Sequence, residues 1–319
     1  MTPSPQNDIA TVDTLQKFLF ENNPVRGELV DLSHAWQQVQ ERHDYPRVIQ
    51  SMLGEMLAAA SLLSANLKFD GTIIMQIHGD GPVKLLVAEC NSEMQIRATA
   101  KIGEHAGPIA DDASLRDLIN VNGHGRFIIT LDPKDKVPGQ KPYQGIVPLD
   151  GAEISTIIEN YMQRSEQLDT KLWLAADAHV ARGLLLQRLP DIGGKAPEQT
   201  SEQEQGETWQ RVVMLASTVT REEILSTDIA TLMRRLFWEE DLRLFEPKPV
   251  HFHCSCTRDK VGNMLKMLGR EEVESALADL GSLTIHCDFC GLGYGFDAVD
   301  CAQLFLEGNI VAAATDLKH

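Results

Sequence analysis

An α+β fold carrying a separate metal-binding tail is what this sequence predicts, and three observations predict it. Three β-rich runs, at 72–78, 83–89 and 94–100, follow one another closely, and the turn signal Gly79-Asp80-Gly81-Pro82 joins the first two as in an antiparallel meander. Just upstream, Val48, Ile49, Met52, Leu53, Met56, Leu57 and Ala60 recur at helical spacing behind Pro46, a residue suited to a first helical turn. Five of the six cysteines fall in the last 66 residues, as Cys254-Ser255-Cys256, Cys287-Asp288-Phe289-Cys290 and Cys301. The expected organisation is an N-terminal domain of antiparallel or mixed sheet packed with helices over 1–190. An acidic flexible linker with amphipathic helices follows over 191–248, and a small helical zinc domain occupies 249–319.

Composition bounds the function. The chain has 319 residues and is 43% hydrophobic, enough for two domains with a real core. Its 29 basic against 46 acidic residues give a net charge of −17, which opposes nucleic acid and anionic membrane as partners. The first ten residues read as no export leader and no run approaches a membrane span, so the expected compartment is the cytoplasm, where thiols stay reduced.

Taken in order, residues 13–20 read as a short helix, and 25–30 alternates apolar and polar as a half-buried strand does. Met52 and Met56 read as ordinary core. The Gly79–Gly81 turn is followed by a strand and not a helix, so it is no phosphate cradle. Cys90 is placed at the next bend as a small buried or half-buried residue. A helix is expected at 112–121, strands at 127–131 and 143–149, a helix at 153–165, and strands at 171–175 and 183–189. Asn122-Gly123 is a turn, which leaves His124 a solvent-facing residue. Arg164-Ser165-Glu166-Gln167 lacks a glycine elbow or a histidine beside Ser165 and reads as a helix end.

Composition shifts at Pro190, and 191–207 is rich in Gly, Pro, Gln and Glu, as mobile linkers are. Thr220-Arg221-Glu222-Glu223 is a capping-box pattern. Ile229, Leu232, Met233, Leu236 and Phe237 then form an apolar stripe on a segment too short to bury it alone. It must lie against its own domain, a partner chain or a client protein. Helices are expected at 258–268, with Gly269 as C-cap, and at 270–280, ended by Gly281. They resemble a DNA-reading helix pair, but Glu271, Glu272, Glu274 and Asp279 carry the wrong sign for phosphate.

Two close pairs of thiols supply the four soft ligands of a tetrahedral zinc, so Cys254, Cys256, Cys287 and Cys290 are the expected ligands; two structural disulfides are the alternative. Gly291-Leu292-Gly293-Tyr294-Gly295 misses dinucleotide spacing and reads as a knuckle turn. His251, His253 and His286 flank the site and could each replace a thiolate, but four thiolates already close the shell and structural roles are the reading; Cys301, an alternative ligand or resolving thiol, reads as core from its helix-like setting. A unit this small is near the limit for a core alone, so loss of the metal should unfold it. Thiolates are also what peroxide attacks. A permanent zinc adaptor and a thiol–disulfide oxidoreductase remain as competing functions.

The chain resembles the 33 kDa chaperonin (redox-regulated heat shock protein 33) family nearly end to end. The resemblance rests on Phe18-Leu19-Phe20-Glu21-Asn22, Val25-Arg26-Gly27-Glu28-Leu29, Leu67-Lys68-Phe69-Asp70-Gly71, Gly79-Asp80-Gly81-Pro82, Tyr143-Gln144-Gly145, Arg164-Ser165-Glu166-Gln167 and the cysteine spacing. It implies a non-enzymatic, ATP-independent holdase for unfolded or partly folded proteins, inactive while reduced and zinc-bound. Oxidation, with heat or another unfolding stress, would form disulfides Cys254–Cys256 and Cys287–Cys290 and release zinc. The C-terminal domain and linker would then unfold, apolar client-binding surface would appear, and the active form would dimerise. Cys90 and Cys301 match no sensing position of that family.

Overall fold

The computed structural model describes residues 13–21, 23–67, 70–136, 141–189 and 202–315. They form two compact units, Met1–His253 and Cys254–His319. Residues 191–201 of the expected linker lie outside the described residues.

The first unit begins with β1 (Thr14–Phe20), β2 (Val25–Leu32), α1 (His34–Gln40), α2 (Arg47–Ser64), β3 (Gly71–His78), β4 (Val83–Asn91), β5 (Gln95–Ile102) and α3 (Leu115–Ile119). It continues through β6 (Arg126–Pro133), β7 (Tyr143–Pro148), α4 (Ile154–Tyr161), β8 (Thr170–Ala176) and β9 (Ala181–Arg188). Three helices follow, α5 (Glu202–Ala216), α6 (Arg221–Ser226) and α7 (Ile229–Phe237), then the short strands β10 (Leu242–Leu244), β11 (Lys248–Pro249) and β12 (His251–Phe252).

Two six-stranded sheets result. One runs β10-β1-β2-β9-β8 with β11 also on β1, and the other runs β12-β5-β4-β3-β6-β7. All pairings are antiparallel except β12 on β5. Between the sheets lies α2, buried almost all round from Ile49 to Ser64, so its apolar faces serve both layers of one core.

The expected helix at 13–20 is a strand, β1. Its side chains are buried on both faces, Leu15 in the inter-sheet core and Phe18 and Phe20 in a second cluster, so neither simple period appears in the sequence. Pairing with β2 over Thr14↔Asp31 to Leu19↔Arg26 decides the conformation. That pairing sets Phe18 opposite Gly27, where a Cβ would come within 2.1 Å of the Phe18 ring. Gly27→Ala is therefore expected to displace Phe18 and cost about 1–3 kcal/mol, read as a lowered thermal midpoint of the reduced protein.

Cys90 sits within β4, fully buried, and not at a bend. The expected helix at 153–165 is α4 followed by one π turn (Met162–Glu166), which Gln167 closes in the left-handed region. Arg164 pairs with Asp150 at 2.9 Å and Glu166 accepts from the Tyr161 hydroxyl at 2.9 Å, so this polar run is structural. Both predicted capping devices of α6 are present, Thr220 with the Glu223 backbone and Glu223 with the Thr220 backbone.

The second cluster places the outer face of the first sheet against α5 and α7. Phe18, Phe20, Val25, Leu29, Leu184 and Leu186 meet Val212, Ala216, Leu232, Met233, Leu236 and Phe237. Two arginines fasten α6 beside it. Arg221 reaches Glu55, the Ser51 hydroxyl and the Ala176 carbonyl, each within 2.6–2.7 Å, while Arg182 pairs with Asp31 at 2.8 Å and donates to the carbonyls of Ile224, Leu225 and Thr227.

The second unit holds α8 (Arg258–Leu268), α9 (Arg270–Leu280), β13 (Leu283–His286), β14 (Gly293–Phe296) and α10 (Ala298–Thr315). The helix pair was expected, and the β13–β14 hairpin was not. Its core is small, with Leu265, Val273, Leu283, Phe296 and Cys301 buried.

Candidate metal centre

Two loops build the centre. Cys254 and Cys256 lie on the extended strand of chain that leads into α8, where the Thr257 side chain caps the helix by accepting from the Lys260 backbone. Lys260 also donates to the Ser255 carbonyl at 2.7 Å, which fixes the residue between the two thiols. Cys287 and Cys290 occupy the loop of the β13–β14 hairpin. Its turn closes through Gly291 N–H to the Cys287 carbonyl at 2.8 Å, and the Cys287 N–H donates to the Leu292 carbonyl at 3.0 Å. Gly291 has φ +66°, a left-handed conformation that glycine adopts without strain. Arg258 ties the two loops' supports together by donating to the Gly295 carbonyl at 2.6 Å, pairing with Asp300 at 2.8 Å and lying over the Phe296 ring.

The four sulfurs all lie within 4.8 Å of one another. Cys254 and Cys287 are 3.7 Å apart and Cys256 and Cys290 3.3 Å. A tetrahedral ion with sulfur ligands at about 2.3 Å sets them about 3.8 Å apart, so the geometry and the soft donor set fit one such ion. Among the described residues this is the one cluster of cysteine, histidine and acidic side chains able to hold a metal.

Electrostatics explain why the site wants a cation. Burial pushes the Cys254 thiol up, and burial together with its thiol neighbours pushes Cys290 up to about 12. Cys256 is partly buried too, yet the Tyr294 hydroxyl at 3.1 Å and the neighbouring thiols bring it down to about 7. The cluster thus carries one thiolate readily, and a positive ion offsets the repulsion that opposes the rest. Tyr294 had no role in the sequence reading; its signal was only a tyrosine four residues after Cys290. Tyr294→Phe is expected to weaken zinc binding about 10-fold, the lower end for removing a group bonded to a ligand, in competition with a chromophoric chelator.

The other candidates separate from this cluster. Cys301 is buried in the small core and Cys90 in the inter-sheet core, where burial raises its thiol to about 12. His251 and His253 donate backbone N–H groups to Met94 and Ile96, and His286 lies on β13. Cys287-Asp288-Phe289-Cys290 stands in a hairpin loop and not at the strand-to-helix junction a dithiol oxidoreductase uses. Ile229, Leu232, Met233, Leu236 and Phe237 all lie on α7; Ile229 is half-buried and the other four are buried. Of the covers the sequence allowed, the structure shows their own domain: the outer face of the first sheet, where the Phe237 ring lies tilted 5.9 Å from Phe18 and edge-on 5.2 Å from Phe20.

The comparisons agree along nearly the whole chain. The family model described as Hsp33 protein matches residues 13–297. The chain is 48% identical over 308 residues to the 33 kDa chaperonin of Methylobacillus flagellatus, covering 96% of this chain and 99% of that protein. It is 47% identical to the 33 kDa chaperonin of Chromobacterium violaceum, covering 96% and 98%. The crystal structure of the Thermotoga maritima 33 kDa chaperonin superimposes with a TM-score of 0.72 at 20% identity, over 93% of this chain and 99% of that one. No helix among the described residues is long and apolar enough to cross a membrane.

Proposed function

The chain belongs to the Hsp33 protein family, and from that premise we propose that it is a redox-switched, ATP-independent holdase, not an enzyme, working in the cytoplasm under oxidative stress. The observation that carries this reading is the convergence of four thiols in a unit whose apolar core, among the described residues, has five buried side chains.

Bound zinc would hold Cys254, Cys256, Cys287 and Cys290 as thiolates in one tetrahedron and so fold residues 254–319. A thiolate of the cluster attacks a peroxide oxygen, its sulfur is oxidised to sulfenic acid, and after protonation the other oxygen leaves as water. The second thiolate of a pair attacks that sulfur, an S–S bond forms, and the remaining oxygen leaves as a second water. Each pair gives up two electrons to one peroxide. Oxidised sulfur no longer ligates, so the unit loses its principal source of stability and unfolds.

The disulfides proposed are Cys254–Cys256 and Cys287–Cys290. Sulfur contacts at 3.7 Å and 3.3 Å also run between the two loops, Cys254 to Cys287 and Cys256 to Cys290, so peptide mapping of the oxidised chain separates the two pairings. The client surface proposed is the apolar layer of Ile229, Leu232, Met233, Leu236 and Phe237 with the sheet face they cover, and the active form is a homodimer. The test is a peroxide titration that follows zinc release and suppression of aggregation of an unfolding protein. The proposal requires both to rise together, and protection already complete in the reduced, zinc-loaded chain contradicts it.

A further inference from the structure

One short stretch of chain caps an edge of both sheets. β10 pairs with β1 over Phe18↔Leu244 to Phe20↔Leu242, β11 pairs with it over Thr14↔Pro249 and Leu15↔Lys248, and β12 pairs with β5 over His251↔Gln95 and Phe252↔Ile96. Without this stretch β1 and β5 would be bare edge strands, each a row of unpaired backbone groups able to template another chain.

What holds the stretch is mainly backbone. Phe245 N–H donates to the Lys17 carbonyl at 3.0 Å, Val250 N–H to Asp13 at 2.8 Å, His251 N–H to Met94 at 3.1 Å and His253 N–H to Ile96 at 3.0 Å; in return Glu21 N–H donates to the Asp241 carbonyl at 2.9 Å. Side chains contribute less: Arg243, Leu244, Lys248, Pro249 and His251 face solvent, Val250 is buried, and Leu242 and Phe252 are half-buried against the apolar clusters at either end of the stretch. Pro247 and Pro249 lack N–H donors, which keeps the pairing short and weak. Cys254 follows directly on His253, so the stretch ends covalently at the metal centre.

We propose that residues 242–253 are an internal placeholder, and that once it is released the edges of β1 and β5 receive an extended segment of an unfolded client polypeptide by main-chain pairing. The inference rests on the redox reading above, which supplies the release. Two observations point to a client strand as the occupant. The placeholder is held largely through its backbone, with most side chains outward and only Leu242, Val250 and Phe252 turned in, so the edges select extended conformation with occasional apolar residues more than a sequence. The β1 edge is also continuous with the apolar cluster, because Phe18 and Phe20 of that same strand form its floor. An added strand would therefore gain backbone pairing beside an apolar surface, a combination suited to segments that have lost their own fold.

Hydrogen exchange on the full chain tests this in three samples: reduced and zinc-loaded, oxidised with peroxide and heat, and oxidised with reduced, carboxymethylated lactalbumin as a permanently unfolded probe. The expected result is that amides of 243–253, and with them those of Glu21 and of 94–97 on the uncovered edges, exchange at least about tenfold faster after oxidation. With the probe, Glu21 and residues 94–97 become protected again while 143–148, on the far edge of the second sheet, do not change. Continued protection of 243–253 in an oxidised sample that binds the probe overturns the placeholder and leaves the redox reading standing. Release without renewed protection in the presence of bound probe overturns edge pairing. Renewed protection that needs no probe and grows with chaperone concentration assigns the edges to a second copy and overturns the client assignment. A sample that neither loses zinc nor binds the probe overturns the redox reading and the proposal with it.

Discussion

Cys290→Ser is expected to leave the purified chain without zinc and residues 254–315 without protection from hydrogen exchange, while the first unit keeps its own. Among the described residues the second unit has a core of five buried side chains, and two of its supports, the hairpin loop and the lead into α8, face each other through sulfur. Structural zinc supplies roughly 10–16 kcal/mol to units of this kind, more than so small a core provides. Removing a group that only touches a ligand already costs about 10–100-fold in affinity, so losing a ligand costs more. The same variant is expected to hold clients without oxidant. Cys301→Ser, outside the sulfur cluster, is expected to keep zinc and remain silent when reduced. Zinc retained at one ion per chain in Cys290→Ser would contradict the four-sulfur assignment.

Phe237→Ala is expected to activate the reduced, zinc-loaded protein. The ring lies under 6 Å from both Phe18 and Phe20 and closes the α7 layer over the first sheet. Truncating a buried phenylalanine costs about 3–5 kcal/mol, and here the loss falls on a layer that can open without unfolding the inter-sheet core. A loss of that size raises the open population by about two to nearly four powers of ten. Hydrophobic-dye binding and aggregation suppression should therefore appear with no oxidant added. Trp238→Ala is the control, because that side chain, next along the chain, is 74% exposed. A Phe237→Ala protein that is less stable yet silent would remove the covered face from the mechanism.

How legible these features were depends on where their causes lie. The meander β3–β5 could be read because its turns and its period are local, and α2 because Pro46 and the apolar spacing mark it. α1 was passed over because its N-terminal cap is tertiary. The buried Asp13 carboxylate accepts the N–H groups of Ser33, His34 and Ala35 from 20 to 22 residues away, while Ser33 itself makes no side-chain cap. β10, β11 and β12 have two or three residues each and exist only as edge pairing, in a stretch whose prolines read as punctuation. The β13–β14 hairpin was missed because its strands, Leu283–His286 and Gly293–Phe296, have four residues each, too short for their alternation to stand out on either side of a thiol loop. The four sulfurs were anticipated because the thiol spacing is itself the signal. Tyr294 was not, since one hydroxyl bond to Cys256 leaves no pattern in the chain.

The measurement closest to the central claim is zinc content and free-thiol count before and after peroxide at elevated temperature, with client aggregation followed on the same samples. The account predicts that zinc leaves as the thiols of Cys254, Cys256, Cys287 and Cys290 disappear, and that protection of the client begins only then. Zinc that stays bound through oxidation, or protection equal in both states, would contradict it and leave the metal a permanent structural staple.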